Sequence, residues 1–255
     1  MKEIKGLYYS GTSGLLLPVP NKEFYPAEFK SKSRLRYYSS LFNSIEINSS
    51  FYKVPLATTI ARWAEDTFED FCFTFKLSRE ITHGKGMAFQ SAEVAHFMER
   101  IAAVGNKKAC LLLQFPASIR FVHLGELLKL LDLIRQADPQ QSWKVAVEFR
   151  HQSWYQQNTY GLLEDYRMGL VLHDKLQEGG YLLDSSCDFV YVRFHGPGGD
   201  YRGSYQDDFL CEYASYIRNW IAEGKQVFTY FNNTMGSAIE NLRSLRAYVK
   251  EGGSI

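Results

Sequence analysis

The sequence predicts an α/β fold, a (β/α)8 TIM-like barrel that turns irregular after its sixth strand. Three observations carry this. Short runs of strand formers alternate with amphipathic stretches at roughly 30-residue intervals, the size of a βα unit. The strands are apolar almost throughout, as in Cys110-Leu111-Leu112-Leu113-Gln114-Phe115, which marks a parallel sheet covered on both sides. The 255 residues hold about eight such units, and eight close most economically into one barrel, so a single domain over 1–255 is expected. The runner-up is an open doubly wound sheet. That fold calls for a glycine-rich turn after its first strand, and Gly11-Thr12-Ser13-Gly14 is a weak match to one.

Taken in order, Leu7 to Gly14 reads as a first strand ending in small polar residues, and a helix follows from about Ser33 to Phe42. Asn43 to Asn48 is the second strand, with Ile45 and Ile47 on one side and Glu46 and Asn48 on the other. A helix starts near Thr58, with Thr58 or Thr59 as its cap. Phe71 to Lys76 is the third strand, Glu80 to Phe89 a loop, and Ser91 to Val104 a helix. After the fourth strand, Leu124 to Ala137 forms a helix with Leu127, Leu128, Leu131 and Ile134 as its core stripe. Lys144 to Arg150 is the fifth strand, and helical character resumes from Ser153 to Met168. Gly169 to Asp174 is a short sixth strand; Lys175 to Asp188 has no helical period and contains Gly179-Gly180. Phe189 to His195 is the seventh strand, with a helix from Asp207 to Glu223. Gln226 to Asn233 is the eighth, with a closing helix from Ser237 to Lys250.

The composition removes several function classes. The formal charge is +1, so no global field draws the chain to nucleic acid or membrane, although a local patch stays open. No apolar stretch reaches ~18 residues, the length of a membrane span. Cys72, Cys110, Cys187 and Cys211 form no C-x-x-C pair, and Cys72 and Cys110 sit in apolar runs, so reduced buried thiols in a cytoplasmic protein are expected.

Strand alternation then collects polar side chains at the strand ends. The inward set is Ser10 and Thr12, Glu46 and Asn48, Lys76, Gln114, Glu148 and Arg150, His173, Arg193 and His195, and Asn232. In a barrel these tips converge at the C-terminal mouth, where the active sites of this fold sit. Charges buried there cost several kcal/mol unless they pair with each other or with a ligand.

The segments Gly11-Thr12-Ser13-Gly14, Phe42 to Tyr52, Gln114-Phe115-Pro116, Glu148 to Trp154, Arg193-Phe194-His195-Gly196 and Tyr230-Phe231-Asn232-Asn233 carry a resemblance over essentially the whole chain. They are similar to the signatures of the YecE-like family (DUF72), a bacterial and archaeal domain family of unknown function. The resemblance implies a TIM-barrel fold and supplies no reaction. One departure is Leu15-Leu16-Leu17, where the family usually carries an aromatic.

The favoured reading is an enzyme of hydrolase or lyase type acting on a small anionic, phosphorylated ligand. Glu46, Glu148, His195 and His173 are its candidate acid–base residues. Thr12, Asn48, Lys76, Gln114, Arg150, His151, Arg193, Tyr205, Asn232 and Asn233 are its candidate binding residues. The alternatives are a metal-assisted phosphoesterase or nuclease acting on nucleic acid, and a non-catalytic binding module for an anionic metabolite or nucleic acid. No spacing motif marks a metal site, and the sequence names no cofactor and no oligomeric state.

Overall fold

The computed structural model describes residues 7–174 and 187–252. Eight parallel strands alternate with helices in a nearly closed barrel of the (β/α)8 TIM-like class. In chain order the elements are β1 Tyr8–Thr12, α1 Arg34–Leu41, β2 Ser44–Ile47, α2 Ala57–Asp66, β3 Cys72–Lys76, α3 Arg79–Thr82, α4 Ser91–Ala102 and β4 Lys108–Phe115. Next come α5 Leu124–Ala137, β5 Lys144–Phe149, α6 Gln157–Asp165, β6 Gly169–His173, β7 Phe189–Phe194, α7 Asp207–Ala222, β8 Gln226–Phe231 and α8 Ala238–Glu251. Among the described residues, no helix is long and apolar enough to cross a membrane.

The helix boundaries follow local chemistry. Ser33 caps α1, its Oγ accepting the Arg36 N–H at 2.9 Å. The cap of α2 is Leu56 rather than Thr58 or Thr59: the chain leaves Pro55 extended, and both threonines fall inside the first turn. The buried stripe of α5 is Leu127, Leu130, Leu131 and Ile134, with Leu130 in place of the expected Leu128. The helix expected from Ser153 starts later, at Gln157, because Gln152–Trp154 forms a tight turn that drives the indole inward. A short α3 lies within the expected Glu80 to Phe89 loop. The stretch expected to be irregular, 175–188, falls outside the described residues except for Cys187 and Asp188.

The chain gathers into two compact units, Met1–Glu46 with Leu172–Ile255, and Ile47–Val171. In the first, β8 pairs in parallel with both β1 and β7, and Ser13 bridges to Glu46. Aromatic rings fill it: Tyr9 stacks on Phe228 at 5.0 Å, and Tyr191 meets Tyr230 at 5.2 Å. In the second, β3, β4, β5 and β6 pair in sequence. Phe115, Phe149 and Trp154 stack in a row, and the Trp154 indole N–H donates to the Ile119 carbonyl at 2.9 Å. That row puts Phe149 on the helix side of β5 and turns Glu148 to the other side. Cys72 and Cys110 are buried and unbridged.

Candidate functional site

In the first unit, Tyr191, Arg193 and His195 follow one another at the two-residue period of β7 and share a face. All three are buried, as is Glu46. Glu46 organises the lower part of this column. Arg193 donates to it at 2.7 Å, the Tyr191 hydroxyl at 2.5 Å, and the Ser13 hydroxyl also donates to it. Arg193 further reaches Ser13 Oγ at 3.2 Å. A carboxylate and a guanidinium this deep persist only because each neutralises the other, with the Tyr191 and Ser13 hydroxyls adding hydrogen bonds to the carboxylate. Below them Ser44 Oγ and the Tyr230 hydroxyl lie 2.6 Å apart.

At the top of the column, past the end of β7, stands a buried imidazole held by a carboxylate. Asp174, one residue beyond β6, accepts the His195 backbone N–H at 3.0 and 2.9 Å on its two oxygens. His195 Nδ1 lies 2.9 Å from the same carboxylate, and the Tyr205 hydroxyl donates to it. Tyr205 in turn accepts the Gly196 N–H at 2.6 Å. Burial would raise the Asp174 pKa, but the hydrogen bonds from His195 and Tyr205 outweigh it and hold the group below its ordinary value. Burial, then the Asp174 charge, pushes the Tyr205 phenol far up, so it stays a neutral donor. A neutral His195 facing an acceptor-only carboxylate must carry its proton on Nδ1, which directs proton traffic through Nε2. The His173 ring stands edge-on at 5.9 Å and the Tyr201 ring at 5.8 Å.

The loop from Gly196 to Gly203 builds this end of the column. Gly196 has φ +96°, and a Cβ there would lie 2.1 Å from the Arg202 carbonyl oxygen, so only glycine fits. Two of the loop amides bond back to the backbone: Gly199 N–H on the Gly196 carbonyl at 2.7 Å and Tyr201 N–H on the His195 carbonyl at 2.7 Å. Asn233, fully buried, ties the next loop to it by donating to the Gly203 carbonyl at 3.1 Å and to Asn241 Oδ1 at 3.0 Å. Asn241 accepts the Tyr205 N–H at 3.3 Å, so the chain of bonds runs from Asn233 to the phenol that holds Asp174.

In the second unit, Glu148 is buried and ion-paired with Arg150, two residues on and on the same face of the strand end. Gln114 pairs in register with Glu148 on the neighbouring strand. Tyr155 donates to the Phe149 carbonyl at 2.8 Å, and burial, then the Glu148 charge, pushes its phenol pKa up. His151 Nδ1 accepts the Ser153 N–H at 3.1 Å. Lys76 places its ammonium 4.1 Å from the centre of the Phe51 ring, and His83 meets the same ring edge-on at 4.8 Å. Burial, then the charges of Lys76 and Arg79, lowers the His83 pKa to about 4.

Several sequence expectations meet a different geometry. Ser10 and Thr12 do not join the inward set. Thr12 Oγ1 lies 3.0 Å from the Tyr38 hydroxyl on α1 and donates to the Gly14 carbonyl at 2.6 Å, while Arg246 on α8 reaches Ser10 Oγ at 3.5 Å. Tyr9, stacked on Phe228, takes the other face of β1, which reverses the assumed parity. Tyr205 is engaged in the scaffold described above, and Asn233 gives its NH2 to that scaffold while its buried Oδ1 has no hydrogen-bond partner among the described residues. Asn232 is half-buried and its N–H donates to the Phe194 carbonyl at 2.7 Å; Asn48 is half-buried beside β2. Asp174, Tyr191, Ser13 and Asn241 escaped the sequence reading. Tyr191 shares the parity of Arg193 and was accessible to it. Ser13 shares the face of Tyr9, the one that the assumed parity of β1 turned outward; Asp174 has the parity opposite to His173, the side chain that alternation turned inward.

Among the described residues, no group of three or more His, Cys, Asp or Glu side chains is arranged to hold a metal ion. A family model described as "Protein of unknown function DUF72" matches residues 9–254. The UPF0759 protein YunF of Bacillus subtilis (strain 168) is 25% identical over 83% of this chain and 84% of its own. The UPF0759 protein YecE of Escherichia coli (strain K12) is 28% identical over 48% of this chain and 43% of its own. Two crystal structures share the fold. A DUF72 family protein from Enterococcus faecalis V583 superposes with a TM-score of 0.78 at 20% identity, covering 95% of both chains. One from Thermotoga maritima MSB8 gives 0.68 at 23% identity, covering 98% of this chain and all of the other.

Proposed function

Because the chain belongs to the DUF72 family, whose members are proteins of unknown function, we propose its activity from the site itself: it is an enzyme of hydrolase or lyase type, with His195 as the proton-transferring group. The observation that carries this reading is the buried His195 imidazole held 2.9 Å from the half-buried Asp174 carboxylate at the C-terminal ends of β6 and β7. A carboxylate on Nδ1 orients the ring and stabilises the imidazolium formed when Nε2 takes a proton. Tyr205, Asn241 and Asn233 are positioning residues for that pair. Glu46 and Glu148 belong to a different task. Each is occupied by an arginine, so each holds a cation in place rather than exchanging protons.

The substrate class we assign is a small phosphorylated anion. What supports it is charge. Glu46, Glu148 and Asp174 already have cationic or donor partners within their own units, which leaves little demand for a cationic ligand. A non-catalytic binding module is the second reading, favoured by those same saturated carboxylates.

The test is a panel of small phosphorylated compounds and their neutral counterparts, followed by phosphorus and proton NMR with the full chain. Turnover of a phosphorylated member is expected, and His195→Asn should lower its rate by about 10²–10⁴-fold, the usual contribution of a positioned acid or base. Turnover that survives His195→Asn removes His195 from the chemistry. Binding without turnover across the panel supports the binding-module reading instead.

A further inference from the structure

A concavity of about 460 Å³ opens in the unit that carries His195, beside the last helix. Leu41, Phe42 and Ala247 give it apolar lining; Arg243, Arg246, Lys250 and Glu251 give it charge. It lies at the opposite end of the strands from the Asp174–His195 pair. Phe42 directly precedes β2, and Arg246 reaches Ser10 within β1, whereas Asp174 and His195 follow the C-terminal ends of β6 and β7. The mouth chemistry of a barrel therefore does not account for it.

Arg246 is the unusual member. Its side chain is half-buried, with the guanidinium 5.6 Å from the centre of the Phe42 ring and its closest hydrogen-bond partner, Ser10 Oγ, at 3.5 Å. Among the described residues, no carboxylate pairs with it. Its titratable neighbours are the Tyr8 and Tyr38 phenols, whose pKa values burial raises, that of Tyr38 to about 12, so both are neutral near pH 7. Burial also lowers the Arg246 pKa, the mark of a desolvated cation lacking a counter-ion. Arg243 and Lys250 stand three residues before and four after it, on the same face of α8. The lining thus carries three cations against the single carboxylate of Glu251, a surplus of two positive charges beside an apolar surface.

We propose that this cavity is a binding site for a phosphomonoester carried on an apolar body. Its dianionic group sits on the guanidinium of Arg246 between Arg243 and Lys250, and its apolar part lies on Leu41, Phe42 and Ala247. A phosphate near neutral pH brings roughly two negative charges, which matches the surplus. Guanidinium geometry suits phosphate oxygens, and the Phe42 ring supports the guanidinium and the ligand's apolar body alike.

Phenyl phosphate, inorganic phosphate and benzoate are the probes, titrated into the full chain by calorimetry at low salt and pH 7.5. Phenyl phosphate should bind at least tenfold tighter than the other two, because it alone offers both a dianion and an apolar ring. Arg246→Gln should weaken it at least tenfold. The exposed pair Arg243→Gln with Lys250→Gln gives the same result without touching the buried framework, and Glu251→Gln should tighten binding. His195→Asn should leave this affinity unchanged, which separates the cavity from the proposed catalytic site. No binding of phenyl phosphate by the wild type overturns the proposal. So does wild-type affinity retained in both Arg246→Gln and the double variant, and benzoate binding as tightly as phenyl phosphate overturns the dianion assignment.

Discussion

Asp174→Asn is the substitution that most directly probes the buried imidazole. It preserves shape and removes one charge. The carboxylate takes the His195 backbone N–H, the His195 Nδ1 proton and the Tyr205 hydroxyl proton. An asparagine offers one oxygen and one NH2, so a donor must face either the ring or the phenol. The ring can accept only by moving its proton to Nε2, which reverses the tautomer the proposed chemistry needs. Two charge-assisted bonds become neutral or are lost, a change of about 2–4 kcal/mol. The sign follows from the pKa of Asp174, which lies below its ordinary value in the folded chain. Its stabilisation is present above the unfolded-state pKa near 4 and disappears as pH falls through the folded value. Urea unfolding should therefore show a large gap between wild type and variant at pH 7 that narrows by pH 3. Nitrogen-15 shifts of His195 should report the proton on Nδ1 in the wild type and on Nε2 in the variant. Equal stability at pH 7, with the wild-type tautomer retained in the variant, would refute the assigned role of Asp174.

Other consequences are as direct. Glu46→Gln leaves Arg193 buried beside a neutral group and should destabilise the fold by about 3–5 kcal/mol; the double variant with Arg193→Met should recover part of that loss, and a single variant within 1 kcal/mol of wild type, roughly the worth of one ordinary hydrogen bond, excludes the pair as a buried counter-charge. His83, with its folded pKa lowered to about 4, binds its proton more readily in the unfolded chain. Stability should accordingly fall as pH drops from about 6.5 to about 4. Screening at this half-buried ring limits the effect to about 1–2 kcal/mol, and His83→Gln should flatten that part of the urea-midpoint curve; an unchanged slope assigns the pH dependence to other groups.

Much of the architecture was legible because periodicity is a local property. Residues two apart on a strand share a face whatever the rest of the chain does. Parity therefore placed Arg193 and His195 together on β7, and Glu148 and Arg150 together on β5. Thr12 shows where that reasoning ends. Both faces of β1 carry groups that suit either side, and the choice fell to Tyr38 on α1 and Phe228 on β8, partners 26 or more residues away. Asp174 shows the second limit, since it reaches His195 although the parity of β6 gives the inward place to His173.

The amino-acid order alone determined the succession of strands and helices, the apolar faces that bury them and most of the polar tips. Only the tertiary structure decided which charge neutralises which. Arg193 lies 147 residues from Glu46 and His195 lies 21 from Asp174, and no local rule joins such positions. Burial makes each partner obligatory, because a charge removed from water is tolerated only beside its complement, and that complement is chosen by the folded chain.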